Sequence, residues 1–187
     1  MVLPRCSLLP HGLLPLFIFE PRYQAMLSHA LQNERLFCVG MRSCHEEDES
    51  DEVIHHHSTA AMVRACVHHD DGTSHLVLQG MQRIRFTGWH QRTPFRMAKF
   101  EVLKTVVSEP GGIPELHRKV MEHVCRRVSG VDGGVLKKKM QGICDPEIFA
   151  DFAAANFLPD HSHRHKLLGM CDLNERFRYL AEMLEPA

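Results

Sequence analysis

An α+β fold, β-rich in its first half and helical in its second, is what this sequence predicts, on three observations. Short apolar runs of strand length recur through the first hundred residues, bounded by turn formers and with only one early helix among them. Beyond them the hydrophobic period changes from two to about 3.6. The change falls at Glu109-Pro110-Gly111-Gly112, a stretch that breaks regular structure. This predicts a β-rich subdomain over residues 1–108 and a helical subdomain over 109–187, together forming one domain.

The elements follow in order. Leu13 to Phe19 is continuously apolar and reads as a buried strand. Pro21 suits the first turn of a helix, where its missing N–H costs nothing. Tyr23, Met26, Leu27, Ala30 and Leu31 then recur on one helical face. Leu36 to Met41 is a second short strand. Residues 45–57 read as a polar loop, because Glu46 to Glu52 holds six acids in seven residues and charges this dense stay solvated. Ala60 to His68 returns to strand composition, and Asp70-Asp71-Gly72 is a hairpin turn. Leu76 to Leu78 leave that turn, Gly80 marks a bulge or tight bend, and Ile84 and Phe86 alternate with arginines as in a half-buried strand. Phe95 to Val107 predicts a further long strand, with Ala98, Phe100 and Val102 on one side. Strands at this spacing without intervening helices argue for an antiparallel barrel or sandwich.

In the second half, Leu116, Val120, Val124 and Val128 form a helical stripe that Gly130, Gly133 and Gly134 should end. Asp145-Pro146 reads as an N-cap followed by proline at the first helical position. Asp160 is placed to cap a short helix, and Asp172 with Glu175 has capping-box spacing. The last helix should bury Leu173, Phe177, Leu180 and Leu184.

Composition narrows the function. The 187 residues include 22 basic and 23 acidic side chains, a formal net charge of −1. That balance gives no general attraction for nucleic acid or an anionic membrane. Seven cysteines without a C-x-x-C pair suit a reducing compartment. The apolar N-terminus is interrupted by Pro4, Arg5, Pro10 and Gly12 and lacks a small-residue cleavage pattern, so no signal peptide is expected. No stretch is long enough to span a membrane, and the expected location is the cytoplasm.

Catalytic signatures are missing. Gly130 to Lys139 has glycines and lysines, but not the spacing of a phosphate-cradling loop, and its lysines read as a solvated helix face. There is no G-x-S-x-G turn and no H-E-x-x-H helix. The expectation is a non-enzyme without a cofactor. Cys44, His45, His55 and His57 are the candidate metal ligands, since closure of the acidic loop would gather nitrogen and sulfur donors. The competing reading, a polar loop shoulder without metal, is preferred. His161 and His165 share a helix face at i, i+4 and are read as a solvated helix start.

Three segments carry a resemblance. Leu13-Leu14-Pro15-Leu16-Phe17-Ile18-Phe19-Glu20-Pro21-Arg22-Tyr23 closely resembles the opening of the Lon protease N-terminal domain family. Leu76 to Phe86, through Gly80 and Arg83, is similar to that family's V-x-G-x-x-R-F strand pair. Asp145 to Phe177, with Asn156-Phe157-Leu158-Pro159, is similar to its helices. The resemblance covers nearly the whole chain. It implies a PUA-like β-barrel, or pseudobarrel, followed by a helical bundle. In full-length Lon this region helps recognise unfolded or damaged substrates, and ATPase and Ser-Lys protease domains follow it. The sequence stops before both, like the free-standing bacterial Lon-domain proteins.

The family-signature residues Phe19, Glu20, Pro21, Arg22 and Tyr23 read as a strand-to-helix corner tied by charge-assisted hydrogen bonds, or as the rim of a binding surface. Gly80 supplies a bend, and Arg83 braces backbone. The expected partners are unfolded or extended polypeptide segments, with a separate protease as a further partner. The alternative is RNA, on the basic set Arg83, Arg85, Arg92 and Arg96 around Phe86, Trp89 and Phe95. A small-molecule pocket is a third class, which the sequence neither supports nor rejects.

Overall fold

Pro21 opens a helix because Glu20 before it is held extended and its carbonyl accepts the N–H groups of Tyr23 and Gln24, both at 2.9 Å. The structure, a computed structural model, describes residues 1–42, 54–128, 133–158 and 160–185. It divides into two compact units, Met1–Leu103 and Lys104–Ala187.

The first unit contains β1 (Val2–Pro4), β2 (Leu13–Ile18), α1 (Pro21–Gln32), β3 (Leu36–Arg42), β4 (Ile54–His68), β5 (Ser74–Gln91) and β6 (Met97–Val102). Strand pairing runs β1-β3-β4-β5-β2, and β6 also pairs with β5. All pairs are antiparallel except β1 with β3. Where the sequence leads to an antiparallel barrel, sandwich or pseudobarrel, the described strands form one mixed sheet that does not close into a barrel. The reason lies in β5: β2 takes its first part (Ser74 to Gln79) and β6 its last part (Ile84 to Gln91). Neither strand bridges back to β1.

One core cluster joins Tyr23, Met26 and Leu27 of α1 to Ile18, Val39, Val63, Leu76 and Leu78 of the sheet. The apolar stripe of α1 is thus the face predicted from its spacing. Tyr23 is tied as well as buried. Its hydroxyl donates to the carbonyl of Val2 at 2.7 Å and accepts the Val2 N–H at 3.4 Å. Tyr23→Phe should cost about 1 kcal/mol, read as a lower urea midpoint with an unchanged slope. No change would mean that this tie contributes nothing.

Several strand expectations are corrected. From Leu13 to Phe17 β2 alternates between exposed and half-buried residues, with only Ile18 buried, instead of being buried throughout, because it lies at an end of the sheet. The runs on either side of Gly80 belong to one 18-residue strand, β5. The bulge is real: Ala61 pairs with Gly80 and Ala60 with Gln82, so Met81 is the extra residue. The run from Phe95 to Val107 yields only the six residues of β6, and Phe100 and Val102 on it are exposed. Val106 instead bridges Asp172 in the second unit. Of the loop expected over 45–57, residues 45–53 lie outside the described residues and 54–57 belong to β4.

The second unit contains α2 (Ile113–Arg127), α3 (Gly133–Gln141), α4 (Pro146–Phe157), α5 (His161–Leu168) and α6 (Leu173–Met183). Gly133 begins α3 and so is not part of the stop after α2; Gly130 lies outside the described residues. Asp145 caps α4, accepting the N–H groups of Glu147 at 2.7 Å and Ile148 at 3.2 Å. Asp160 and Asp172 cap α5 and α6 in the same way. Val120, Val124, Phe149, Ala153, Phe177, Leu180 and Leu184 are fully buried. His165 is buried as well, which corrects its reading as solvated.

One interaction of this unit was not legible in sequence. The Arg176 side chain is 0 % exposed. Its guanidinium reaches Glu147 Oε1 at 3.2 Å, Thr105 Oγ1 at 2.6 Å and Asp151 Oδ1 at 3.7 Å. Asn174 makes a second long-range tie, accepting the Glu109 N–H at 3.1 Å and donating to its carbonyl at 2.9 Å.

Candidate functional site

Two adjoining grooves of the first unit form the candidate site. The first, about 260 Å³, is an apolar trough lined by Met26 and Ala30 of α1, Phe37 of β3, Phe86 and Trp89 of β5, and Phe95. The second, about 340 Å³, is lined by Arg22, Tyr23, Arg92, Thr93, Pro94 and Arg96. Met1, Val2, Met26, Phe95 and Arg96 line both, so the two adjoin.

The trough is aromatic for a local reason. Phe86 and Trp89 stand with ring centroids 5.5 Å apart. They are three apart in sequence, and the register shift between Phe86 and Gly88 interrupts strict alternation there. Phe95 faces His29 of α1 at 5.5 Å. The rings supply apolar area with few rotatable bonds, which favours contact with an incoming chain. At the junction of the grooves, the Met1 amine donates to the Cys38 carbonyl at 2.9 Å. Its pKa is pushed down to about 6, chiefly by burial and further by Arg96 and Arg22, while burial pushes the Cys38 thiol up.

The signature residues divide. Arg22 and Tyr23 line the site. Glu20 lies behind Arg22 and accepts from its Nε at 2.8 Å and from a terminal nitrogen at 2.7 Å. Pro21 is at the first helical position. Phe19 is 60 % exposed, stacks on Phe17 at 5.9 Å, and lines neither groove. Gly80 is buried beneath the carbonyl of Leu9, and Arg83 is 1 % exposed within β5. Neither lines the site.

The basic set proposed for RNA does not form a surface stripe. Arg83 is buried and Arg85 is ion-paired with Glu101 across β5 and β6, leaving Arg92 and Arg96 beside the rings. The aromatic and basic residues from 86 to 96 that the sequence suggested for RNA include Phe86, Trp89, Phe95 and Arg96, which line the candidate trough. Their partners Met26, His29 and Phe37 lie far off in sequence and carried no signal.

Of the metal candidates, Cys44 and His45 lie outside the described residues. His55 and His57 are in β4 and not on a loop shoulder. Among the described residues no group of three or more histidine, cysteine or acidic side chains could hold a metal. Burial holds the ring pKa values of His55 and His57 below the ordinary histidine range, as it does for His117, whose ring lies 4.3 Å from that of Phe149. A folded-state pKa below the unfolded value of about 6.5 means that the unfolded chain binds more protons as pH falls. Stability should therefore be fully present above about pH 6.5 and decline on acidification through the depressed values. The melting temperature should fall between neutral pH and about pH 5.5, and His117→Phe should flatten the dependence; a flat wild-type profile would refute this.

No helix among the described residues is long and apolar enough to cross a membrane. The six described cysteines carry free thiols.

Comparison with known proteins agrees with this architecture. The N-terminal domain of Mycobacterium avium complex Lon protease superposes with a TM-score of 0.77 at 14% identity, covering 98% of this chain and 95% of that one. A Lon N-terminal domain protein from Xanthomonas campestris gives 0.62 at 20% identity, covering 97% and 95%. Among curated sequences, Lon protease of Dictyoglomus thermophilum is 25% identical over 182 residues, 94% of this chain and 23% of that protein. Lon protease of Escherichia coli K12 is 23% identical over 191 residues, again 94% and 23%. The chain thus spans about a quarter of the length of these relatives. The ATP-dependent protease La (LON) substrate-binding domain matches residues 1–186, and the chain belongs to that family.

Proposed function

We propose that this chain is a non-catalytic module that binds extended or unfolded polypeptide in the groove formed by these two adjoining hollows beside α1. The observation that carries the reading is that groove. Its aromatic part adjoins, across the shared lining residues Met26 and Phe95, a second groove lined by Arg22 and Tyr23 of the signature segment. A bulky side chain entering the trough would leave water against Phe86, Trp89 and Phe95 and gain about 25 cal/mol for each Å² of apolar surface buried. Family membership supports the substrate class, since polypeptide is what a protease's substrate-binding domain must hold.

The finer parts of the reading belong to the same proposal. The first unit is read as PUA-like and the second as a helical bundle, with 1–108 and 109–187 acting together as one domain. The bound chain is handed to a separate protease in the cytoplasm. No cofactor is needed, because capture requires burial and hydrogen bonding and no bond is broken.

Trp89→Ala with Phe95→Ala should weaken binding of an unfolded model polypeptide by tenfold or more, as truncation of aromatic anchors does at interface centres. Phe17→Ser, an exposed ring outside the groove, serves as the control and should leave affinity unchanged. Wild-type affinity in the double variant, with its fold verified by circular dichroism, would refute the site.

A further inference from the structure

At the tip of the hairpin between β4 and β5, Nε2 of His69 and Nδ1 of His75 lie 2.8 Å apart and share one hydrogen bond. The rings meet edge to face with centroids 5.0 Å apart, and both residues are exposed. Strand pairing puts them there. Val67 pairs with His75, and the His69 N–H donates to the Thr73 carbonyl at 3.0 Å. His69 and His75 are therefore diagonal neighbours on one face of the sheet. Their surroundings are tied down. Phe17 of β2 packs its ring 4.7 Å from that of His75. In the turn, the Gly72 N–H donates to the His69 carbonyl at 3.0 Å, and the Asp71 carboxylate accepts the Thr73 N–H at 2.9 Å. Neither histidine lines either groove.

We infer that this pair is a chelating site for a divalent transition-metal ion, Cu(II) before others, held by Nε2 of His69 and Nδ1 of His75. An imidazole nitrogen stands about 2.0–2.1 Å from such an ion. Two nitrogens at that range are about 2.9 Å apart at a right angle and about 3.3 Å apart at the tetrahedral angle. The observed 2.8 Å fits the right angle of tetragonal Cu(II) and Ni(II) sites better than tetrahedral zinc. Of these ions Cu(II) also binds nitrogen donors most strongly. Two protein ligands leave the ion's other positions to solvent, which the exposure of the pair allows. The protons balance without loss. The proton shared by the neutral rings moves to the far nitrogen of its own ring, His69 Nδ1 or His75 Nε2, as the metal takes its place. Asp71 lies close enough to be held below the usual carboxylate range, chiefly by Thr73 and in smaller part by His69. Its negative charge favours a cation at the pair. The paired strands set the nitrogen spacing before any metal arrives, so little ordering entropy is lost on binding.

The experiment uses the full chain and Cu(II) carried by iminodiacetate, a complex whose open positions lie side by side and which single histidines hold weakly. The chain has 15 histidines, so retention of copper alone decides nothing. Pulsed electron paramagnetic resonance at one equivalent should show a tetragonal Cu(II) centre bound by two imidazoles. His69→Gln and His75→Gln should each weaken binding roughly tenfold or more, because the second ligand no longer acts within the same molecule. Each should also remove one imidazole from the spectrum. His90→Gln, exposed on β5, should leave affinity and spectrum unchanged.

Paramagnetic broadening locates the ion on the unaltered chain, so misfolding of a variant cannot hide the answer. Amide and ring signals of Phe17, Val67, His69 and His75 should vanish first as the complex is added. Earlier loss at any other histidine overturns the inference and makes the copper adventitious. Undiminished binding in both glutamine variants overturns it as well, as does failure of the wild-type chain to bind the complex. None of these outcomes bears on the polypeptide-binding reading, which stands or falls at the groove.

Discussion

Arg176→Met should destabilise the second unit by about 3–5 kcal/mol, the usual cost of leaving buried charge without its partner. The effect is large because Asp151, also 0 % exposed, lies beside the guanidinium and cannot turn to water. Glu147 is 34 % exposed and would rehydrate, so its share of the loss is smaller. The double replacement Arg176→Met with Asp151→Leu removes both buried charges and should recover most of the loss. A thermodynamic cycle on urea unfolding would then give strong coupling between the two positions. Additive losses would show that the pair is incidental and that packing alone explains the single variant.

Gly80→Ala should cost the first unit about 3 kcal/mol or abolish its folding, at the upper end of what overpacking does. A Cβ there would meet the Leu9 carbonyl oxygen at 2.2 Å, a backbone atom that cannot rotate away. The contact is held from both directions. The Gly80 N–H donates to the Gly12 carbonyl at 2.9 Å, and the Gly80 carbonyl accepts the His11 N–H at 2.9 Å. Relief would require lifting the whole turn from Leu9 to Gly12 off β5. Gly88 on the same strand is the matched control, since a Cβ there meets nothing within 4 Å. Gly88→Ala should leave stability unchanged or raise it slightly. Equal behaviour of the two alanine variants would contradict the close approach as the reason for glycine.

These two positions illustrate what the sequence could carry. Gly80 was legible as a bend, because glycine inside a strand pattern has few other uses, but the atom it makes room for lies some seventy residues away. The corner at Glu20-Pro21, the caps Asp145, Asp160 and Asp172, and the apolar faces of α1 and α6 were all legible. Each depends on neighbours within one or two turns of chain. Arg176 was not, since its partners at 105, 147 and 151 meet it only once the helices have packed.

Strand pairing was the other limit. Alternation predicts which face of a strand is wet, not which strand lies beside it. An apolar run such as Phe95 to Val107 therefore reads as one long strand although only Met97–Val102 pairs with β5. The candidate site depends on the same long-range assembly. Its rings at 86, 89 and 95 attracted notice as a possible nucleic-acid feature, and only the packing of α1 alongside them makes a groove.

Trp89 is the only tryptophan in the sequence, and it lines the trough, so its fluorescence reports directly on the central claim. The measurement is a titration of the chain with a tryptophan-free unfolded polypeptide, following Trp89 emission and its quenching by acrylamide. Occupation of the groove predicts a saturable blue shift and reduced quenching at the same midpoint as binding measured by anisotropy. Binding by anisotropy with Trp89 emission and quenching unchanged would place the polypeptide elsewhere on the molecule and contradict the account.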